Sequence, residues 1–247
     1  MLKLRRFACE GLETGCVTDE ARPRFSFVFE SDRQGASLRE VTLEVNGWTW
    51  RGTGRASVRY DGAPLAPCTT YQARVCATDD AGESAEGTLE FETGLLGGSW
   101  EAEWISDAAY RFDEKGVAPV PMVFRHAFAL GGTVRRARVY ATALGIYDIS
   151  LNGQRVGERY FAPGFTSYGS TLQYQTYDVT DRLGASNELV VTVAGGWAVG
   201  PFSYTRKNRV TADRQALLLE VRVEYADGST QVLGTGEDCQ VTEDSSE

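Results

Sequence analysis

The sequence has very little histidine and no long run of apolar residues. Its one histidine, His126, lies in "VFRHAFAL", and no Gly-x-Ser-x-Gly elbow accompanies it, so a serine-type hydrolytic triad is not supported. No stretch approaches the roughly 20 apolar residues of a membrane-spanning helix. The N-terminal "MLKLRRFACEG" also lacks the apolar run of a signal peptide. We therefore expect no membrane partner and a cytoplasmic location.

Positive charge is also scarce, with 25 Lys and Arg against 34 Asp and Glu and a formal net charge of −9. Phosphate binding needs a basic surface, so nucleic acid is excluded as an expected partner. Two basic clusters, "RRAR" at 135–138 and "RKNR" at 206–209, are interpreted as solvated strand faces or loops. The cysteines are odd in number and their spacings fit no metal or redox motif, so we expect reduced thiols and no cofactor: Cys9, Cys16, Cys68, Cys76 and Cys239.

Helical periodicity is almost absent, whereas alternating apolar and polar residues recur along the chain. Alternating runs surround three pairs that are typical of two-residue hairpin turns, Asn46-Gly47, Asn152-Gly153 and Asp227-Gly228. In such turns both central residues need positive φ, which Asn, Asp and Gly tolerate. With 42% hydrophobic residues available for a core, the pattern predicts an all-β protein of sandwich or barrel type.

A domain boundary is predicted near residue 94, in "GTLEFETGLLGGSWEAEWIS". Here a strand pattern ends and a glycine-rich polar segment follows, which is typical of a linker. We therefore predict a seven-stranded β-sandwich over residues 1–94, a linker over 95–104 and a larger jelly roll over 105–247.

Two stretches resemble known domains. "LAPCTTYQARVCATDDAGES" (65–84), with Tyr71 as a core tyrosine near a strand start, resembles an immunoglobulin or fibronectin type III-like domain. "RRARVYATALGIYDISLNGQRVGERYFAPGFTSYGSTLQYQTYDVTDRL", followed by "GASNELVVTVAGGWAVG", closely resembles the N-terminal β-sandwich of bacterial α-L-rhamnosidases. The resemblance implies an immunoglobulin-like sandwich followed by a galactose-binding-like jelly roll.

The same resemblance implies an accessory role. In that family, a downstream (α/α)₆ barrel hydrolyses terminal α-L-rhamnose with inversion, and this sequence has no helical periodicity to supply such a barrel. No catalytic residues are assigned here. The expected partner is the C-terminal catalytic barrel of the same protein, which this region would support or orient.

A carbohydrate-binding module for L-rhamnose-containing glycans is the alternative. Sugar sites combine aromatic platforms with polar side chains, and the candidates are Trp197, Tyr147, Tyr168, Tyr204, Asn152 and Asp148. Some relatives of this sandwich bind rhamnose with calcium, but Gly195 and Gly196 stand where many of them have an Asn beside the tryptophan. This weakens the expectation of calcium, and the Asp178–Asp181 cluster is interpreted as turn chemistry.

A complete small glycosidase is the third alternative. It would need two carboxyl groups held across the scissile bond, one of them in an apolar setting. The acidic residues lie mostly in hydrophilic turn stretches, including Asp113 and Glu114. The sequence therefore favours the two non-catalytic readings.

Overall fold

A computed structural model describes residues 1–54, 57–109, 116–202, 204–209 and 211–243, so Asp113 and Glu114 lie outside the described residues. The chain divides into two compact units, Met1–Ser99 (unit 1) and Trp100–Glu247 (unit 2). Both are built almost wholly from β-strands, as the alternating pattern predicts. Within the described ranges, no helix has the length and apolar character needed to cross a membrane.

Unit 1 is a sandwich of two sheets, with strand orders β1-β3-β6 and β2-β8-β7-β4-β5. The described part of unit 1 has eight strands, against seven predicted, and two of them, β2 and β6, have only three residues each. The strands are β1 (Leu2–Cys9), β2 (Cys16–Thr18), β3 (Arg24–Ser31), β4 (Leu38–Val45), β5 (Trp48–Gly52), β6 (Ser57–Arg59), β7 (Thr70–Asp79) and β8 (Ser84–Thr93).

The core of unit 1 follows from the alternation along its strands. Val41, Leu43 and Val45 face inward on β4 and are almost completely buried. Tyr71 stacks on Phe91 with ring centroids 5.6 Å apart. Its hydroxyl also accepts a hydrogen bond from the backbone N–H of Ala66, and this partly buried tyrosine packs against the core at a strand start.

Unit 2 is a larger sandwich with strand orders β13-β10-β15-β16 and β12-β11-β14-β9-β17. Its core lies between these two sheets. The strands are β9 (Met122–Ala129), β10 (Val134–Leu144), β11 (Ile146–Leu151), β12 (Gln154–Val156), β13 (Gln175–Asp178), β14 (Ser186–Ala194), β15 (Ala216–Tyr225), β16 (Thr230–Gly234) and β17 (Gln240–Glu243). A 3₁₀ turn spans Thr180–Arg182, and the single-turn helix α1 spans Gly196–Val199.

The first part of the central strand β15, residues 216–221, is buried on both faces, and the segment around residues 101–105 contacts it. The backbone N–H of Glu101 donates to the carboxylate of Glu220 (2.9 Å). Ile105 and Leu217 exchange two backbone hydrogen bonds of 2.9 Å each. Glu220 is fully buried and its other oxygen pairs with Arg222 Nε (2.7 Å). The outer face of this sheet therefore contains a buried carboxylate that pairs with a partly exposed guanidinium.

Two of the three predicted tight turns are confirmed. Asn46 and Gly47 have φ of 46° and 77°, and Asn152 and Gly153 have φ of 53° and 76°. Positive φ at both central residues is the geometry that matches the twist of the flanking strands.

The third turn differs from the prediction. Only Gly228 has positive φ (86°), and its N–H donates to the carbonyl of Tyr225 (3.0 Å), while the N–H of Tyr225 donates to the carbonyl of Ser229 (2.9 Å). This is a three-residue loop that closes with a glycine bulge. Asp227 does not adopt positive φ because its carboxylate instead accepts hydrogen bonds from the N–H and hydroxyl of Ser229.

Candidate functional site

Five aromatic side chains contact one another on the surface of unit 2, and we call them the aromatic surface. The ring of Phe165 lies 6.0 Å from Trp197, 6.0 Å from Tyr168 and 5.7 Å from Phe202. Phe161 lies 6.1 Å from Trp197. Phe161 and Phe165 are 63% and 60% exposed. These two rings present an apolar surface to solvent although they pack against their neighbours.

The backbone fixes the segment that carries Phe161 and Phe165. This segment connects β12 to β13 and contains no strand. The N–H of Tyr147 donates to the carbonyl of Ala162 (2.8 Å), and the side-chain amide of Gln175 donates to the carbonyl of Pro163 (3.0 Å). The segment is therefore tied to β11 and β13, while its aromatic side chains remain exposed.

Two glycines place Trp197 beside this segment. Gly196 has φ of 50°, and a Cβ there would lie 2.7 Å from Cγ2 of Ile146; a Cβ at Gly195 would lie 2.5 Å from Cγ of Pro119. Contacts this short are sterically forbidden, so only glycine lets α1 pack on the start of β11. Close packing therefore accounts for the two glycines that precede Trp197.

Asn152 lies in a different part of unit 2. It follows the far end of β11, about 20 Å along the strand from Ile146 at 3.3 Å per residue. Its side-chain amide donates to the carbonyl of Arg182 and to Oδ1 of Asn187, both at 2.9 Å. Its own oxygen accepts from the N–H of Glu188 (2.9 Å). These bonds fasten the hairpin turn to the end of the 3₁₀ turn and to the start of β14.

Tyr147 and Asp148 make structural contacts as well. Tyr147 is buried, and its hydroxyl lies within 3.1 Å of the hydroxyl of Tyr177 and 2.8 Å of the side-chain oxygen of Gln175. Burial raises the pKa of Tyr147 far above its ordinary value, so the phenol stays neutral. The carboxylate of Asp148 pairs with Nε of Arg155 (2.7 Å).

In the Asp178–Asp181 cluster, Asp178 makes the hydrogen bonds of a turn. One oxygen of Asp178 accepts from the N–H and the hydroxyl of Thr180 (3.0 and 2.7 Å), and it lies 2.7 Å from Arg138. Partial burial opposes ionisation, but these hydrogen bonds and the positive charge of Arg138 outweigh it. The pKa of Asp178 is therefore held below its ordinary value.

The structure brings together only some of the sugar-site candidates. Trp197 and Tyr168 meet through Phe165, while Asn152 lies at the other end of β11 and Tyr204 is fully exposed on the turn after Phe202. Phe165 itself packs on other members of the aromatic surface.

Sequence reasoning missed Phe161 and Phe202 as members of the site. The stretch "RYFAPGFTSY" (159–168) is a sequence signal for exposed aromatic residues, because it holds four of them without strand alternation. Aromatic residues in a turn-rich segment have no regular inner face to occupy, so several of them remain at the surface.

Comparison with known proteins agrees with this architecture. Residues 4–97 match the Rha78A-like N-terminal immunoglobulin domain, and residues 132–247 match the α-L-rhamnosidase N-terminal domain. This chain belongs to the N-terminal region of the α-L-rhamnosidases. The resemblance drawn from its motifs is thereby confirmed, as is the fold that the resemblance implies.

Several α-L-rhamnosidases are similar to this N-terminal region. That of Streptomyces avermitilis is 47% identical over 128 residues, which are 49% of this chain and 12% of the relative. One from Formosa agariphila is 30% identical over 180 residues, which are 70% of this chain and 19% of the relative. The crystal structure of the native enzyme from Aspergillus terreus aligns with a TM-score of 0.89 and 29% identity, covering 98% of this chain and 30% of that one. This chain therefore spans less than a third of each.

Proposed function

We propose that this chain is a non-catalytic accessory region of an α-L-rhamnosidase, and that its aromatic surface docks against the catalytic part of the same polypeptide. The exposure of Phe161 and Phe165 carries the proposal. Residues that only fill a core would be buried, whereas these rings pack on Trp197 and still face solvent.

The exposed area is large enough for docking. Tyr160, which precedes Phe161 and whose ring centroid lies 4.4 Å from the Arg155 guanidinium, is 75% exposed, and Phe161 and Phe165 are 63% and 60% exposed. Full aromatic side chains bury about 200 Å² each, so these three residues present about 400 Å² of aromatic area to water. That is as large as the largest apolar patches of ordinary monomers, which often mark interaction sites. Covering it would contribute about 10 kcal/mol of transfer free energy, before the costs of association.

The relatives contain a suitable partner. The matched region accounts for 12% and 19% of the two curated α-L-rhamnosidases, so most of each polypeptide lies outside it. In our proposal that remainder holds the barrel that hydrolyses terminal α-L-rhamnosides. A partner in the same polypeptide is present at high effective concentration, so modest apolar contact suffices to hold it.

The second candidate is sugar binding at the same surface. Trp197, Phe161 and Phe165 offer aromatic faces on which the C–H face of a pyranose ring can pack. Sugar hydroxyls also need polar partners, and Asn152 and Asp148 are engaged in structural contacts. The geometry therefore favours docking over sugar recognition.

Hydrogen exchange tests the docking proposal by comparing the isolated chain with the full-length polypeptide that the proposal requires. Peptides covering 159–171 and 196–202 should exchange more slowly in the full-length protein, because a covering partner excludes solvent. The β3 peptide 24–31, which carries the half-exposed Val28, is the internal control and should not change. Equal exchange of the aromatic segment in both proteins would refute the docking.

Two further measurements separate the candidates. On the isolated chain, the double variant Phe161→Ser/Phe165→Ser should bind less apolar dye, whereas Leu12→Ser/Val28→Ser, at exposed positions of unit 1, is the matched control. A calorimetric titration with L-rhamnose, with and without calcium, should be flat. Saturable binding that Trp197→Ala removes would instead identify a carbohydrate-binding module.

A further inference from the structure

The only histidine of the sequence lies beside a cysteine and an aspartate that are distant in the chain. β17 pairs with β9 so that Gln240 lies opposite Arg125, and Cys239 and His126 are the next residues beyond this pair. The distance from His126 Nδ1 to Cys239 Sγ is 3.4 Å, and to Oδ2 of Asp238 it is 3.6 Å. A turn closed by the N–H of Cys239 and the carbonyl of Gly236 (3.2 Å) orders the approach to β17.

These distances fit a metal-binding set. Zinc in tetrahedral coordination has bonds of about 2.0–2.3 Å to nitrogen, oxygen and sulfur, which places neighbouring donor atoms about 3.4–3.6 Å apart. The two distances from His126 Nδ1 fall in this range, and all three donor atoms, one each from His126, Asp238 and Cys239, lie within 4.8 Å of one another. We propose that these three residues bind a thiophilic divalent transition-metal ion of the zinc type.

The donor set selects the class of ion. Thiolate with imidazole favours zinc and similar transition metals, whereas calcium and magnesium prefer oxygen ligands. On binding, the Cys239 thiol releases its proton to solvent as the sulfur–metal bond forms, and the neutral imidazole of His126 donates its Nδ1 lone pair. No oxidant or reductant is required.

The surroundings fix the imidazole and leave one coordination position accessible. The His126 ring stacks on Phe128 at 5.8 Å between centroids, and its Nε2 is buried with no hydrogen-bond partner among the described residues. Nδ1 is thus the nitrogen through which the ring makes polar contacts. The side chain of Asp238 is 70% exposed, and Cys239 lines a surface cleft of about 320 Å³ together with Trp104. Solvent can therefore supply a fourth ligand.

Cobalt(II) is the spectroscopic probe for this site. The full chain, without an affinity tag and with its thiols reduced and metal removed, should bind one equivalent of Co²⁺. It should then develop a thiolate-to-cobalt charge-transfer band and the intense visible bands of four-coordinate cobalt. Zn²⁺ should displace the cobalt stoichiometrically. Zn²⁺ should also raise the melting temperature, because it binds the folded state preferentially.

Variants assign the ligands. Cys239→Ser should abolish the charge-transfer band. His126→Gln should weaken Co²⁺ binding by more than about tenfold, because substituting even the residues that hydrogen-bond to metal ligands typically lowers metal affinity by that factor. Cys76→Ser, at another partly buried strand cysteine, is the matched control and should leave the spectrum unchanged. Asp238→Asn replaces a mostly exposed side chain, so this variant should fold and still bind Co²⁺ more weakly.

Three results would overturn the proposal. One is the absence of a charge-transfer band in the wild-type chain, and another is a band that persists in Cys239→Ser. If Cys239→Ser does not fold, the third result that would overturn the proposal is an Asp238→Asn variant with unchanged Co²⁺ affinity. Because these titrations use the isolated chain, their outcome is independent of the docking proposal.

Discussion

Asn152 combines a turn conformation with a hydrogen-bond network, and two substitutions separate these roles. Asn152→Gly keeps the left-handed backbone (φ 53°) but removes the side-chain bonds to Arg182, Asn187 and Glu188. At about 1 kcal/mol net per hydrogen bond, unit 2 should lose about 3 kcal/mol of unfolding free energy. Asn152→Ala should lose about 1 kcal/mol more, because its Cβ is strained in this conformation.

The matched control is Asn46 in unit 1, which has the same backbone conformation (φ 46°) and is exposed like Asn152, but whose side chain makes no hydrogen bond to the described residues. Asn46→Gly should change stability by no more than about 0.5 kcal/mol, the usual range for surface substitutions. Asn46→Ala should cost about 1 kcal/mol, from backbone strain alone.

Hydrogen exchange with mass spectrometry is the appropriate assay, because it reports each unit separately. Peptides covering 146–156 and 186–194 report the stability of unit 2, and a peptide covering 41–52 reports unit 1. A loss of about 3 kcal/mol corresponds to roughly 150-fold faster exchange where global unfolding governs it. If Asn152→Gly exchanges within twofold of the wild type, the network does not stabilise the unit, and our reasoning about this hairpin is wrong.

Three further substitutions test the packing and charges of unit 2. Gly196→Ala should cost at least about 1–2 kcal/mol from its positive φ and shift Trp197 emission, since the new Cβ would collide with Ile146; an unchanged spectrum would contradict the packing argument. Glu220→Ala should cost about 1.5–3 kcal/mol in urea unfolding, because it removes a buried carboxylate that accepts hydrogen bonds from the N–H of Glu101 and from Nε of Arg222. The stability advantage of the wild type over Asp178→Asn should be full above the ordinary pKa of 3.8 and shrink at lower pH, because the folded pKa is depressed. Unfolding curves from pH 2 to 7 measure this difference, and one that grew on acidification would refute the ion pair with Arg138.

The aromatic surface shows which features of a site cannot be predicted from neighbouring residues in the sequence. Trp197 and Tyr168 are chemically suited to a binding site, and the sequence identifies both as candidates. Whether they meet depends on Gly196 packing against Ile146 and on the anchoring of the segment around Phe165. Asn152 was chosen by the same chemical reasoning, yet its neighbours in space are Arg182 and Asn187.

The sequence by itself determined the features that depend on neighbouring residues. Strand alternation set which side chains of β4 face the core, and Asn152-Gly153 set a tight turn, because period-two geometry and positive φ are local properties of the backbone. The motifs also identified the family. Only the tertiary structure decided which distant side chains meet. His126 and Cys239, 113 positions apart, become neighbours through the register of β17 on β9, and register depends on how whole sheets bury their apolar faces.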